Sequence, residues 1–209
     1  MKKAVKDKIK KFWRFPYKKY FQTKTRNSNV RILSSNCIGG LLYHDMGKSF
    51  DSPTINCTVK GMDFVELCKN YEHYFSIVPE MDSVSFQGYP IADVDGIKVN
   101  CVHYKTIEEF NSIWKRRCDR FLSKDDEEIV VISCDAQIRT AEEIEAFHNL
   151  PYRKVCFTVN PEPKYPEFIY VPGYDGQESV GDLTRYADFT GKRIFQKYFD
   201  FIGFLNNKS

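Results

Sequence analysis

The stretch Val30-Arg31-Ile32-Leu33-Ser34-Ser35-Asn36-Cys37-Ile38-Gly39-Gly40-Leu41-Leu42-Tyr43-His44-Asp45 changes character twice. It begins as a short apolar run, the pattern of a buried strand. Small polar residues around one cysteine interrupt it, and a Gly pair then opens an apolar segment suited to a helix. Strand, tight turn and helix in succession lift a side chain out of the carboxyl edge of a sheet. A cysteine at a helix N-terminus lies at the positive end of the helix dipole, which favours its thiolate. Gly39 and Gly40 leave room for a ligand beside backbone N–H groups able to hold an oxyanion or phosphate oxygen. The stretch predicts a nucleophile or ligand-binding elbow at Cys37 and leaves the reaction open.

Downstream, strand and helix patterns alternate. Residues 63–75 carry a helical stripe with a capping box at Asp63 and Glu66. Residues 83–86 alternate like a strand. Residues 89–94 and 97–102 flank Asp95-Gly96, a strong hairpin signal, and His103 follows directly. Residues 106–122 form the clearest helix, with Thr106 and Glu109 as its capping box. Residues 129–133 read as a central strand ending at Cys134-Asp135. A helix capped by Thr140 and Glu143, strands at 154–158 and 168–171, and a partly helical aromatic segment at 183–205 complete the chain. The pattern predicts an α/β fold of three layers: a mostly parallel sheet with flanking helices and a β-hairpin insertion. A basic N-terminal amphipathic helix precedes it. The expected division is a basic segment, residues 1–26, and a single α/β domain, residues 27–209.

With 42% hydrophobic and 15% aromatic residues in 209, the chain is long and apolar enough for one sizeable core. Residues 1–26 hold eleven Lys/Arg against one acid, Asp7; that +10 leaves −7 for the rest of a chain totalling +3. The seven cysteines are scattered, and no C-x-x-C pair is present, so no metal is expected. Free thiols in a reducing cytoplasm are the consequent reading. No run reaches the length of a membrane span, and the N-terminus has no secretory h-region.

Val5, Ile9, Phe12 and Trp13 share one helical face, with lysines around the rest, and Pro16 is expected to end the helix. Such a segment suits an anionic membrane surface, or else forms a solvated arm. The acidic body lacks any DNA- or RNA-binding motif, so nucleic acid is not an expected partner. Residues 23–29 read as a polar linker.

Cys37, His103 and Asp135 each stand just past a predicted strand, where open α/β sheets bind ligands. They compose a candidate catalytic set: thiol, imidazole base and orienting carboxylate. The alternative is a small buried cysteine and a strand-end histidine. His44, two helical turns beyond Cys37, is a rival base. Asn36, Gly39, Gly40, His44 and Asp45 are candidate substrate-binding residues, and Asp45 and Asp51 suit sugar hydroxyls. Arg117 falls on the apolar face of its helix, where it meets either a buried carboxylate or a ligand anion. Arg116 and Arg120 flank it as further anion-binding candidates. Asp93-Val94-Asp95 has the form of a metal-binding Asp-x-Asp, although Asp95 is already explained by the hairpin turn.

Residues 31–40, followed by Tyr43-His44-Asp45-Met46-Gly47 and Phe50-Asp51-Ser52-Pro53-Thr54-Ile55-Asn56, resemble a bacterial family catalogued as domain of unknown function 1919. His103-Tyr104 and Trp114-Lys115-Arg116-Arg117 extend the resemblance, over about residues 29–175. Members commonly carry the label of exopolysaccharide or capsule biosynthesis proteins. The Asn36-Cys37 elbow is also similar to the Gly-Asn-Cys block of a capsule group with an SGNH-hydrolase-like fold. That likeness implies acyl or coenzyme A chemistry, although Ser35 replaces the Gly and no C-terminal Asp-x-x-His is present. An early Cys and later His resemble a papain-like cysteine peptidase family.

These resemblances imply an enzyme of bacterial surface polysaccharide assembly, expected to be an O-acyltransferase using Cys37 and His103. Acetyl-coenzyme A is the implied donor and a lipid-linked or growing polysaccharide the implied partner. The expected location is cytoplasmic, peripheral to the inner face of the membrane through residues 1–26. The alternatives are a nucleotide-sugar-dependent glycosyl- or phosphosugar-transferase, a non-catalytic glycan- or partner-binding module, and a papain-like hydrolase.

Overall fold

The computed structural model describes residues 3–207, with side chains from Phe12 onward. In chain order its elements are α1 (Lys3–Lys24), β1 (Val30–Ser34), α2 (Ile38–Met46), β2 (Thr58–Val59), α3 (Gly61–Lys69), α4 (Tyr71–Ser76), β3 (Glu80–Val84), β4 (Pro90–Val94), β5 (Ile97–Asn100), α5 (Ile107–Leu122), β6 (Glu128–Cys134), α6 (Ala141–His148), β7 (Arg153–Thr158), β8 (Phe168–Tyr170), α7 (Ile194–Tyr198) and α8 (Phe201–Leu205). Two four-stranded sheets result. One is parallel, in the order β1-β6-β7-β8; the other is antiparallel, in the order β2-β5-β4-β3.

The parallel sheet is covered on both faces, so the middles of its strands are largely apolar, with charged residues at the starts of β6 and β7. Alternate residues serve different cores. Leu33, Ile129, Val131 and Cys156 face the side packed by α3, α5 and α6. Ile32, Val130, Ile132, Val155 and Phe157 face the side packed by α2, α7, α8 and the end of α1. The run at 129–133 is central, as its unbroken hydrophobicity predicts, because β6 pairs with β1 on one side and β7 on the other.

The Asp95-Gly96 hairpin forms, with positive φ at both residues. It is not a lone insertion in the parallel sheet, however. β4 and β5 lie in the middle of the antiparallel sheet; of its outer strands, β3 overlaps the strand expected at 83–86 but begins three residues earlier, and β2 has no counterpart in the sequence pattern. β2 has two residues, and β3 is exposed along its whole length. The expected capping box at Asp63 and Glu66 does not form. Lys60 occupies the N-cap, and Asp63 Oδ2 instead accepts a hydrogen bond from the Lys98 N–H (2.9 Å). The helix also breaks at Asn70, whose backbone leaves the helical region between α3 and α4. By contrast Thr140 and Glu143 make a complete capping box on α6.

Pro16 does not end α1, which continues to Lys24. A proline within a helix costs about 3 kcal/mol, and here tertiary packing offsets it. Arg14 and Phe21, on either side of it, are buried. Residues 23–29 are likewise no free linker. The Thr25 hydroxyl is buried on the Phe21 carbonyl (2.8 Å), and Ser28 Oγ bonds Asn206 Oδ1 (2.7 Å). Val5 and Ile9 lie outside the described side chains, whereas Phe12, Trp13 and Phe15 are exposed. No helix among the described residues is long and apolar enough to cross a membrane.

Candidate active site

The turn after β1 delivers Cys37 to the N-cap of α2. Asn36 shapes that turn: its Oδ1 accepts from the Ile38 N–H (3.1 Å), and its Nδ2 donates to Gln137 Oε1 (3.2 Å). Asn36 therefore fastens the elbow to the loop after β6, and does not face a ligand. The glycine pair is demanded by packing. A Cβ on Gly39 would stand 2.7 Å from Ser34 Cβ, and one on Gly40 3.0 Å from Ile55 Cγ2. The space read as room for a ligand is filled by β1 and by the loop before β2.

His103 reaches the same place from the other sheet. After β5 the chain makes a tight turn, closed by the Tyr104 N–H on the Cys101 carbonyl (2.9 Å). The buried Tyr104 anchors this turn while His103 projects outward. Cys37 Sγ and His103 Nε2 are 3.5 Å apart, within hydrogen-bonding distance for sulfur. Both line a cavity of about 600 Å³, together with Gly40, Leu41, His44, Phe50, Asn56, Asp182, Thr184 and Arg193.

Burial raises the Cys37 thiol pKa above its ordinary value, and the Asp182 carboxylate raises it further. This is the reverse of the thiolate that the helix position suggests. The dipole's effect falls off within one turn, whereas the cost of burying a charge acts on the whole group. The resting group is a thiol beside an imidazole, a pair suited to proton removal during attack.

Asp135 is not part of this pair. Its two carboxylate oxygens accept from the Val159 and Val180 N–H groups, each at 2.8 Å, which joins β6 to two loops. Burial raises its pKa, against the lowering by those same bonds. Asp45 is also taken. It is fully buried, paired with Arg14, and accepts from Gln196 Nε2 (2.9 Å). Its neighbour His44 does line the cavity; its Nε2 lies 3.2 Å from Lys18 Nζ.

Of the arginines on α5, Arg117 meets neither a buried carboxylate nor the cavity among the described residues, whereas Arg120 Nε lies 3.5 Å from the buried Asp51 Oδ1. Arg117 donates through Nη1 to the Ile55 carbonyl and to the Tyr104 hydroxyl, both at 2.8 Å. Tyr104 OH also bonds the Ile55 carbonyl (3.2 Å). Arg120 donates to the Phe50 carbonyl (2.7 Å), and Lys124 pairs with the buried Asp51 (2.9 Å). Arg116 is exposed. Two of the three arginines thus hold the loop 50–56 from behind, and Arg117 ties it to the turn bearing His103. Asp51 is the loop's anchor for Lys124 and Arg120, not a free acceptor of sugar hydroxyls. The loop presents Phe50 and Asn56 to the cavity, with Asn56 held at φ 68°. Left-handed backbone at a non-glycine residue costs free energy, and the bonds on Ile55 supply the restraint that maintains it.

Sequence reasoning missed Phe50, Asn56, Asp182, Thr184 and Arg193. The first two lie in the motif at 50–56. The others lie in a long irregular segment with no periodicity to mark their direction. Asp93 and Asp95 bond Lys98 (2.6 Å) and His73 (2.7 Å) respectively, and neither lines the cavity. Among the described residues no three His, Cys, Asp or Glu side chains form a metal-binding group.

A Haemophilus influenzae protein, described only as an uncharacterized protein, is 26% identical over 204 residues, covering 97% of both chains. A family model matches residues 8–206, well beyond the 29–175 expected. The match takes in most of α1 and the segment carrying Asp182 and Arg193. The chain belongs to the family described as Domain of unknown function (DUF1919).

Proposed function

We propose that the cavity beside Cys37 is an acyl-transfer site, and that the protein is an O-acyltransferase of bacterial surface polysaccharide assembly. The observation that carries this reading is the 3.5 Å contact between Cys37 Sγ and His103 Nε2 in an open cavity. In the first step His103 Nε2 takes the thiol proton while Cys37 Sγ bonds the acyl carbon of the donor. The donor's own bond to that carbon breaks, and its leaving group takes the proton from the imidazolium. In the second step His103 removes the proton of an acceptor hydroxyl, whose oxygen bonds the acyl carbon as the bond to Sγ breaks, and the imidazolium returns the proton to Sγ. Of the first-turn N–H groups of α2, that of Ile38 is taken by Asn36 Oδ1, and the one on Gly40, in the cavity lining, is the proposed donor to a developing oxyanion.

Acetyl-coenzyme A is the proposed donor, and a sugar hydroxyl of a lipid-linked or growing polysaccharide the acceptor. The assignment to polysaccharide rests on the sequence resemblance, not on the cavity. Helix α1 is the proposed contact with the inner face of an anionic membrane, since it exposes Phe12, Trp13 and Phe15 on a basic segment.

The test is incubation of the purified chain with acetyl-coenzyme A, followed by peptide mass spectrometry of Cys37. Acetylation of Cys37 that disappears in His103→Ala is the expected result. Cys37 left unmodified across acyl donors, or modified equally without His103, rejects the site. For the membrane contact, the triple variant Phe12→Ser, Trp13→Ser, Phe15→Ser is expected to lose co-sedimentation with anionic vesicles. Undiminished co-sedimentation removes α1 from that role.

A further inference from the structure

Arg193 shares with Arg117 and Arg120 an Nε without a hydrogen-bond acceptor among the described residues, but of the three it alone lines the cavity. Its Nη1 donates to the Thr184 carbonyl, its backbone N–H donates to Gln196 Oε1 (3.1 Å), and its guanidinium stacks 5.0 Å from the Tyr186 ring centre. A bridge between Tyr186 and Arg193 closes the segment on itself. The side chain is thus held by two contacts and its backbone by a third. Yet no protein acceptor among the described residues meets its Nε, and it makes no ion pair. Burial, the larger cause, and the neighbouring Arg14 lower its pKa, against Tyr186, Asp45 and Asp182, which raise it.

This cation lines the same cavity as Cys37 and His103. The other polar groups there are of a different kind. Asp182 uses Oδ1 to accept from the Thr184 N–H (2.9 Å) and Oγ1 (2.5 Å), leaving Oδ2 for an outside donor. Asn56 and His44 add further hydrogen-bonding groups, and Phe50 supplies an apolar wall. A cation at one place and hydroxyl-binding groups around it match a ligand with both an anionic group and hydroxyls.

We propose that Arg193 is the anion-anchoring residue of this cavity, and that the ligand it takes is an anionic polyol, a sugar phosphate or a sugar acid. The proposal rests on the acyl-transfer reading in one respect: it places this ligand beside Cys37 as the molecule that is acylated. Arg193 binds the ligand's carboxylate or phosphate through its guanidinium edge, and Asp182 Oδ2 accepts from a ligand hydroxyl.

The experiment compares two alkylating reagents that share a reacting carbon and differ in charge, iodoacetate and iodoacetamide. Their rates at Cys37 are read by peptide mass spectrometry on the full chain. The ratio of iodoacetate to iodoacetamide rates is expected to fall roughly tenfold in Arg193→Gln, as loss of one charged hydrogen bond predicts. Arg193→Lys keeps the charge without the planar fork, and is expected to lie between the two. An unchanged ratio in Arg193→Gln overturns the anchor while leaving a reactive Cys37 intact.

A Cys37 inert to both reagents rejects the acyl-transfer reading instead, and the anchor is then decided by binding alone. Inorganic phosphate, glucose 1-phosphate and glucuronate are titrated against the melting temperature, with glucose as the neutral control. Anions that raise the melting temperature of the wild type but not of Arg193→Gln support the anchor. Stabilisation by glucuronate alone assigns a sugar acid; stabilisation by glucose 1-phosphate alone assigns a sugar phosphate. Equal responses in wild type and Arg193→Gln, or no response to any anion, overturn it. If Arg193→Gln does not fold, Arg193→Lys carries the same comparison, with a weaker anion response expected and an unchanged one overturning the anchor.

Discussion

Arg117 stands behind the cavity and Arg193 stands within it. The first is 5% exposed and spends its bonds on the Ile55 carbonyl and the Tyr104 hydroxyl. The second is braced by Thr184 and Tyr186 but keeps part of its guanidinium without a protein partner. Both are cations near the same thiol. Each has an Nε without a hydrogen-bond acceptor among the described residues and each donates to a backbone carbonyl, so position separates their roles. Arg117, outside the cavity lining, belongs to the scaffold, because removing it strands its acceptors, and Arg193, in the lining, meets whatever enters the cavity. The two walls they serve are also built differently. The loop 50–56 is pinned from α5, whereas the segment around 182–193 is pinned through Gln196 to Asp45 and Arg14.

If that contrast holds, substitutions should separate stability from binding. The largest expected effect is on the second wall's anchor. Asp45→Asn leaves Arg14 buried without its counter-charge, which costs about 3–5 kcal/mol. A urea midpoint that barely moves would show that the pair does not hold this wall. Next is Arg117→Ala, expected to cost about 2–3 kcal/mol. For a chain of this size that lowers the melting temperature by roughly 4–12 °C. Alkylation of Cys37 should lose part of its dependence on His103, because the turn carrying that histidine loses its tie to Ile55. Arg193→Gln comes third, with a stability change of about 1 kcal/mol or less. Reversal of this order, with Arg193→Gln the more damaging to folding, would exchange the roles of the two arginines.

The smallest effect concerns pH. Burial and Asp182 raise the Cys37 thiol above its ordinary value. The folded thiol is therefore favoured over the thiolate, and its contribution to stability is complete below the unfolded thiol's pKa. That contribution is lost as pH rises through the raised folded value. Cys37→Ser should flatten this alkaline decline. Asp182→Asn should move the midpoint of the alkylation profile downward, since it removes the second cause of the rise. A profile unmoved by Asp182→Asn places that carboxylate too far from sulfur to act on it.

The parts legible in the sequence are those with a local cause. The strands of the parallel sheet announce themselves as apolar runs because both their faces are buried. The Asp95-Gly96 turn and the Thr140-Glu143 capping box are written in adjacent residues. The meeting of Cys37 and His103 was readable because each follows a strand end, although the two strands lie in different sheets. Where distant residues intervene, local reading fails. Asp63 bonds Lys98 instead of capping its own helix, and Pro16 stays helical because buried neighbours flank it. Asp135 has the right position for a catalytic acid, but two loop N–H groups occupy it. Arg193 was invisible, since nothing periodic in the segment around it indicates which way its side chain turns.

The network joining Arg14, Asp45 and Gln196 has a consequence for how the chain is made. Arg14 and Gln196 are separated by 182 positions, and Asp45 and Gln196 by 151. On the ribosome α1 precedes α7, and its buried guanidinium finds the glutamine only after the 182 further positions have been made. Until then Arg14 and Asp45 have one another but not the C-terminal segment, and one wall of the cavity is missing. Contacts of such sequence separation form late and slow folding. A nascent or prematurely ended chain therefore holds Cys37 and His103 without Arg193 beside them. Synthesis of the segment around residues 182–196 is what closes the cavity.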